Sequence, residues 1–378
     1  MKKIQMVDLV GQYEKIKPQV QAAIAPIFDR AQFINGPDVH AFKDELAKYL
    51  GAKHVIPCAN GTDALQIAMM ALDLQPGDEV ITPSYTFIAT AEVIGLLRLN
   101  PVFVDCEKDT FNISPKTIEA AITPKTKAII PVHLYGQSCD MEAIMKIAKK
   151  HDLKVIEDNA QAIGSDYTFS DGTTAKTGTI GDIGCTSFFP SKNLGCYGDG
   201  GAICTNNDAV AEQIKRVANH GQSERYYHDI VGVNSRLDTI QAAILRIKLE
   251  KLDTYIDNRR KAAAFYDENL GNVEQLTVPF RTATSKHVFH QYTMQCSNHI
   301  DRDALIAFLG DKGIPAMIYY PVPAHQQKMF AQLETTCDAM EATDWLTSRV
   351  FSLPMHTELE EDQLTYICDS IKEFITNY

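Results

Sequence analysis

Residues 53–83 read KHVIPCANGTDALQIAMMALDLQPGDEVITP. The short apolar run KHVIPC predicts a strand, the apolar spacing of TDALQIAMMALDL predicts a helix, Pro76-Gly77-Asp78 ends it, and DEVITP predicts a second strand. Strand, helix, strand is the building unit of a largely parallel sheet, because parallel strands need a crossover and a helix supplies it.

The alternation continues on both sides. HAFKDELAKYL precedes it as a helix, and PVFVDC, AIIPVHLYG and LKVIED follow as strands separated by the helical stretches SPKTIEAAI and MEAIMKIAKKHD. Between about 164 and 205 the text turns rich in Gly, Thr and Ser, and CTSFF and GAICT predict further strands of the same sheet joined by tight turns. One long helix is expected from NSRLD through QAAILRIKLEKLDTYIDNRRKAAAFYDENL, as a spine between two domains. Beyond about 270 come a strand (HQYTMQC), a helix (DRDALIAFLGDKG), a Tyr/Pro-rich loop and terminal helices. The expected architecture is α/β: a large domain over 1–250, with a mostly parallel sheet covered by helices, and a smaller C-terminal α+β domain over 251–378. The sequence shows no internal repeat.

Composition narrows the function classes. With 36 basic and 48 acidic residues the net charge is −12, which argues against a nucleic-acid binder but leaves room for one anionic small molecule in a local site. The nine cysteines are odd in number and scattered, with no CxxC pair, so neither a zinc site nor a thiol redox site is expected and the thiols read as reduced and cytosolic. MKKIQMVDLVGQYEKIKPQV lacks a signal-peptide core, and Glu92 and Arg98 interrupt the longest apolar region, so a cytoplasmic protein without a membrane span is expected.

In open α/β sheets ligands bind beyond the carboxyl ends of the strands, and four places there carry chemistry. In CANGTDAL, Gly61 permits close backbone approach and Thr62 offers a hydroxyl at a helix N-terminus, which favours an anion by ~0.3–2 kcal/mol. The same residues also suit a Thr or Asn N-cap closing the turn. In KVIEDNAQ, Asp158 follows Val155-Ile156 and is expected to point into the crevice, where a buried carboxylate needs a cationic partner such as a protonated ring nitrogen, unless it serves a structural ion pair or cap. In FFPSK, Lys192 is either an ordinary loop lysine or an amine buried by Phe188, Phe189 and Pro190 to do chemistry, with Ser187 five residues earlier offering a hydroxyl to the same anion as Thr62. In PSYTFIATAE, Phe87 or Tyr85 could stack on an aromatic ligand, gaining roughly 0.5–1.5 kcal/mol, or belong to the core. An anion cradle, a stacking ring, a carboxylate for a ring nitrogen and a lysine for an aldehyde together describe a pyridoxal 5'-phosphate site.

The motifs FINGPDV, CANGTDALQIA, EVITPSYTFIATAE, TKAIIPVHLYGQ, IEDNAQ, TSFFPSKNLGCYGDGGAI, HGQ, GVNSRLDTIQAAIL and SLPMH span almost the whole chain. In them the sequence resembles the DegT/DnrJ/StrS sugar aminotransferases, pyridoxal-phosphate enzymes of fold type I. The resemblance implies that Lys192 bears the cofactor as a Schiff base, Asp158 partners the pyridine nitrogen, and Gln161 lies beside the ring hydroxyl. It assigns Gly61, Thr62 and Ser187 to the phosphate and Phe87 to ring stacking. It implies a homodimer with shared sites, in which Asn234 reaches the neighbouring subunit's phosphate and Arg236 faces substrate. Family dehydratases carry histidine in place of the lysine, so Lys192 implies transamination. Asn159 departs from the small residue common in the family, and is expected either to adjust Asp158 or to pack.

CANGTDAL, LGCYGDGGAI, HGQSERYYHDIVGVNSRLDT and YYPVPAHQQ resemble members that aminate C3 of a UDP-linked 3-oxo N-acetylhexosaminuronic acid. The resemblance makes His220, Tyr226, His228, Arg236, Tyr319, Tyr320 and His325 candidates for the substrate, each with the alternative of an ordinary loop contact. It also implies L-glutamate as amino donor and a surface glycan as destination. The alternatives are a dTDP-3-oxo-6-deoxyhexose substrate or a non-catalytic regulator on the same fold.

Overall fold

Two helices, α1 (Leu9–Arg30) and α2 (Pro37–Leu50), lead into β1 (His54–Cys58), α3 (Gly61–Ala71), β2 (Glu79–Pro83), α4 (Ala89–Leu96) and β3 (Asn100–Val104). The alternation runs on through α5 (Pro115–Ala121), β4 (Thr126–Ile129), α6 (Met141–His151) and β5 (Lys154–Asp158). A hairpin, β6 (Asp166–Thr168) and β7 (Thr174–Lys176), precedes β8 (Ile183–Ser187), β9 (Gly201–Thr205) and α7 (Asp208–Ala218). A second hairpin, β10 (Gln222–Glu224) and β11 (Tyr227–His228), leads to α8 (Thr239–Leu249) and α9 (Leu252–Leu270). The rest comprises β12 (Leu276–Thr277), β13 (Tyr292–Cys296), α10 (Arg302–Asp311), β14 (Thr336–Cys337), α11 (Glu341–Arg349), β15 (Val350–Leu353) and α12 (Glu361–Asn377). This computed structural model describes residues 2–331, 333, 335–337 and 339–377.

Eight strands form the main sheet in the order β1-β9-β8-β5-β4-β2-β3-β14. From β8 to β14 every pairing is parallel, while β9 pairs antiparallel with both β8 and β1, so β9 alone opposes the other seven. CTSFF and GAICT therefore do join the sheet, as expected, at β8 and β9. Successive strand residues point to opposite faces, and each face is apolar. Val80, Ala128, Ile156 and Ile203 join the core beneath α3, α4 and α7. Their neighbours Ile81, Ile129 and Val155 pack with α5 and α6, and Cys204 packs with α2 and α8.

The expected single long helix is two, α8 and α9, interrupted at Glu250 and Lys251. Leu245, Leu249, Leu252 and Ile256 all enter one core, at helical spacing across the break. With no Pro or Gly at the junction, the periodicity hides it. α9 also supplies Tyr266 and Leu270 to a second core with β13, β15, α10 and α12, so one helix links both cores. α1 is an element that the sequence does not announce. It contains Pro18 and Pro26, and its buried stripe is narrow and includes Gln12 beside Ile16, Val20 and Ile27. Asp8 caps it by accepting from the Gly11 amide at 2.8 Å.

At the end of β5, alternation sends Glu157 and Asp158 to opposite faces. Glu157 accepts from the amides of Gly178, Ile180 and Gly181 at 2.8, 2.7 and 2.6 Å. His133 Nδ1 accepts from the Cys139 amide at 3.1 Å, so the ring proton sits on Nε2, which donates to Glu157 at 2.8 Å. This fully buried pair ties two loops to the strand that ends at Asp158. Glu157→Ala strands three backbone donors and the imidazole. It is expected to cost about 3–5 kcal/mol, read as a lower midpoint in thermal and urea denaturation; a variant as stable as the wild type contradicts this account.

Candidate active site

A cavity of about 670 Å³ opens past the ends of β5 and β8, and Gly61, Thr62, Phe87, Asp158, Gln161, Ser187, Lys192, Tyr319 and Tyr320 all line it. Residues separated by more than 250 positions in sequence thus meet at one place. The end of it suited to an anion is built by the N-terminus of α3. Asn60 is the N-cap, its side chain accepting from the Asp63 amide at 2.8 Å, which leaves the Gly61 and Thr62 amides without helix carbonyls to pair with. A Cβ on Gly61 would lie 2.7 Å from Ser187 Cβ, so only glycine lets the helix end come this close to β8.

Asp158 is 5% exposed. Thr90 Oγ1 on α4 donates to its Oδ2 at 2.8 Å, and the Ala160 amide to its Oδ1 at 3.1 Å. Burial raises its pKa, opposed by these two donors and by the charge of Lys192. Asn159, turned the other way, donates to Thr177 O at 3.0 Å and leaves the Asp158 carboxylate alone. Gln161 Oε1 accepts from the Tyr135 amide at 2.7 Å and its Nε2 donates to the Tyr320 hydroxyl at 2.9 Å, which fixes the amide's orientation.

The Lys192 loop is held on both sides. Asn193 Nδ2 donates to Val288 O at 2.9 Å, and Lys248, itself 1% exposed, donates from Nζ to Gly195 O at 2.5 Å. Burial lowers the Lys192 pKa from 10.5 to about 8, partly offset by Asp158. Phe188 is in the core, whereas Phe189, expected to help bury this amine, is 53% exposed and lines the cavity. Tyr85 and Phe87 differ in placement. Tyr85 is buried, its hydroxyl donating to Tyr319 O at 2.6 Å, whereas Phe87 faces the cavity with its ring 6.0 Å from that of Tyr320.

Six expected residues lie outside this chain's cavity lining. His325 Nδ1 pairs with Ser84 Oγ at 2.6 Å. Tyr226 and His228 sit on the exposed β10–β11 hairpin and His220 just before it, where His228 Nδ1 donates to His220 O at 2.9 Å, while Asn234 is exposed and Arg236 half-buried just after it. Conversely, Thr90, Asp199, His290 and Gln291 belong to the site although the sequence does not single them out. Thr90 had a signal, a hydroxyl between two alanines at the start of the helix that follows β2; His290 had none. Among the described residues, no group of three or more His, Cys, Asp or Glu could hold a metal ion.

With a pKa about 8, roughly a tenth of Lys192 is uncharged at pH 7, against a few in ten thousand for a free lysine. Capture of pyridoxal by the cofactor-free protein, followed by visible absorption and corrected with Lys192→Ala, is expected to rise about tenfold per pH unit and level off above about pH 8. A rise continuing toward 10.5 contradicts the buried-amine account.

Comparison with known proteins agrees with this geometry. The profile of the DegT/DnrJ/EryC1/StrS aminotransferase family matches residues 14–372. The chain is 46% identical over 99% of both chains to a protein of Geobacillus stearothermophilus named pleiotropic regulatory protein. It is 46% identical, over 97% of this chain and 99% of the other, to the UDP-2-acetamido-2-deoxy-3-oxo-D-glucuronate aminotransferase of Pseudomonas aeruginosa. It is 47% identical, over 98% and 97%, to the UDP-N-acetyl-3-dehydro-alpha-D-glucosamine 3-aminotransferase of Acidithiobacillus ferrooxidans. The crystal structure of a family aminotransferase from Brucella abortus superposes with a TM-score of 0.93 at 40% identity, covering 98% of this chain and 99% of that one. The fold expected from the sequence is thus the fold found. The chain belongs to the DegT/DnrJ/EryC1/StrS family and is a pyridoxal-phosphate-dependent aminotransferase.

Proposed function

We propose that this enzyme moves an amino group from L-glutamate to the C3 ketone of a UDP-linked 3-oxo N-acetylhexosaminuronic acid. The observation that carries the substrate is the shared chemistry of two relatives at 46% and 47% identity, both named for 3-oxo or 3-dehydro UDP-linked N-acetylated sugars. The P. aeruginosa relative's glucuronate supports the uronate form.

The residues of the cavity fit the cofactor. A buried carboxylate with two neutral donors and a raised pKa calls for a cation, which a protonated pyridine nitrogen supplies. Gly61, Thr62 and Ser187 offer a cradle for the phosphate, Phe87 a face for the ring, and Gln161 an amide beside the ring hydroxyl. When bound, the cofactor supplies an electron sink for the carbon that loses a proton. Asp158 Oδ2, oriented by Thr90, keeps the ring nitrogen protonated so that the sink works. Lys192 Nζ anchors the cofactor between turnovers and, once freed, carries the proton to and from the substrate carbon. Tyr319 and Tyr320 close the cavity on the substrate side and keep water from it.

The remaining candidates act from a second copy. The exposed β10–β11 hairpin, with Tyr226, Tyr227 and Val231 uncovered, supports a homodimer in which His220, Tyr226, His228, Asn234 and Arg236 serve the neighbouring cavity. His325, bound to Ser84 at the edge of the Tyr319–Tyr320 loop, would position that loop. No helix among the described residues is long and apolar enough to cross a membrane. A cytoplasmic enzyme feeding surface-polysaccharide or lipopolysaccharide assembly is the setting that such a substrate supports.

In the test, the enzyme loaded with cofactor is bleached with L-glutamate and offered UDP-3-oxo-N-acetylglucosaminuronate, its C6-alcohol counterpart or dTDP-3-oxo-6-deoxyglucose, with products identified by mass. Return of the visible band with the uronate and a 3-amino product is expected; return only with the dTDP sugar overturns the substrate. Asp158→Asn should lower kcat by about 10²–10³-fold, the scale of losing one fixed charge-stabilising group. Turnover unchanged in that variant would contradict the role given to the carboxylate.

A further inference from the structure

His290 stands at the start of the segment leading into β13, lines the cavity with Lys192, and is 6% exposed. Its backbone is unusually constrained. Arg259 donates from one guanidinium nitrogen to Phe289 O, His290 O and Met355 O at 3.0, 3.2 and 2.9 Å. Phe289 holds a left-handed φ of 47°, and Val288 O is tied to Asn193, next to Lys192. The ring is thereby aimed before any ligand arrives.

Among the described residues, nothing pairs with the ring. Nδ1 is sealed from solvent without a hydrogen-bond partner, and Nε2 is the nitrogen left to the cavity. Burial, reinforced by the charges of Lys192 and Arg259, holds the imidazole's pKa well below its ordinary value, so the ring carries one proton. A buried N–H without an acceptor is costlier and rarer than an unfilled acceptor lone pair. The proton therefore belongs on Nε2, and Nδ1 keeps the idle lone pair. The cavity thus holds an uncharged N–H donor beside Lys192 that does not compete with Asp158 for a cation.

We propose that His290 donates a hydrogen bond from Nε2 to a substrate oxygen held over Lys192, and is a substrate-positioning residue of this enzyme. The acceptor is a carboxylate oxygen of the amino donor or a hydroxyl or ketone oxygen of the sugar; the second source rests on the substrate proposed above. Because the donor is uncharged, it orients either molecule without adding positive charge beside the Lys192 amine.

The test compares His290→Phe, which keeps a ring but no donor, His290→Asn, whose amide reaches only the depth of Nδ1, and His290→Gln, whose amide reaches that of Nε2. Dissociation constants for α-methyl-L-glutamate, which has no α-proton to lose, and for UDP-N-acetylglucosamine are measured on the holoenzymes, alongside cofactor content and the single-turnover rate of each half-reaction. The Phe and Asn variants should retain cofactor and bind one of the two probes about tenfold more weakly, with Gln within about threefold of the wild type. The probe affected names the source of the oxygen. Unchanged binding of both probes in the Asn variant, or equal losses in Gln and Asn, overturns the proposal. A wild type that reacts with glutamate but with no UDP-3-oxo sugar would sink the substrate assignment alone, since the glutamate arm still reads His290.

Discussion

The Asp158 carboxylate accepts one bond from Thr90 and one from the Ala160 amide, and at 5% exposure it has almost no water to complete its solvation. A charge in that position is costly unless something positive comes to it. The surroundings are arranged around that cost. β5 ends at this residue, α4 brings the threonine, and on the other face the Glu157–His133 pair fixes the strand's end against two loops. Lys192, whose pKa falls to about 8 by burial, is pulled upward by the same carboxylate. Two buried groups of opposite sign, each perturbed by burial and each softened by the other, are what a cofactor with a basic nitrogen and an aldehyde relieves together.

Holding those groups apart yet aligned falls to a few loop contacts. The Lys192 loop is bound on one side to the 288–290 segment through Asn193 and on the other to α8 through Lys248. Lys248 is a second buried lysine with a lowered pKa, about 8, but its amine is committed to Gly195 O and lies over the Tyr197 ring. Two lysines with similarly lowered pKa values thus have different tasks: one fastens the loop, the other is left without an ion-pair partner among the described residues, facing the cavity. α9 links the sheet's core to the second core, so the wall that carries His290 is braced through Arg259 by the same helix.

Much of this was legible in the sequence because sheet alternation and strand-end chemistry are local signals. KHVIPCANGTDALQIAMM places a strand, a turn and a helix cap within a few residues, and KVIEDNAQ puts its carboxylate at a strand end, where the structure has them. What was not legible depends on tertiary contact. The break between α8 and α9 falls inside an unbroken apolar period, and α1 carries two exposed prolines and only a narrow buried stripe. The exposure of Phe189, unlike that of its neighbour Phe188, and the binding of His325 by Ser84 follow from how loops pack, not from their composition. His290 becomes visible only when its ring is found without a partner beside Lys192.

The central claim is that Lys192, and not the more deeply buried Lys248, is the amine that holds the cofactor. Borohydride reduction of the protein loaded with pyridoxal phosphate, followed by digestion and mass mapping, reads this directly. The account predicts a phosphopyridoxyl mass on the peptide containing Lys192 and on no other; the mass on the Lys248 peptide, or on none, would contradict it.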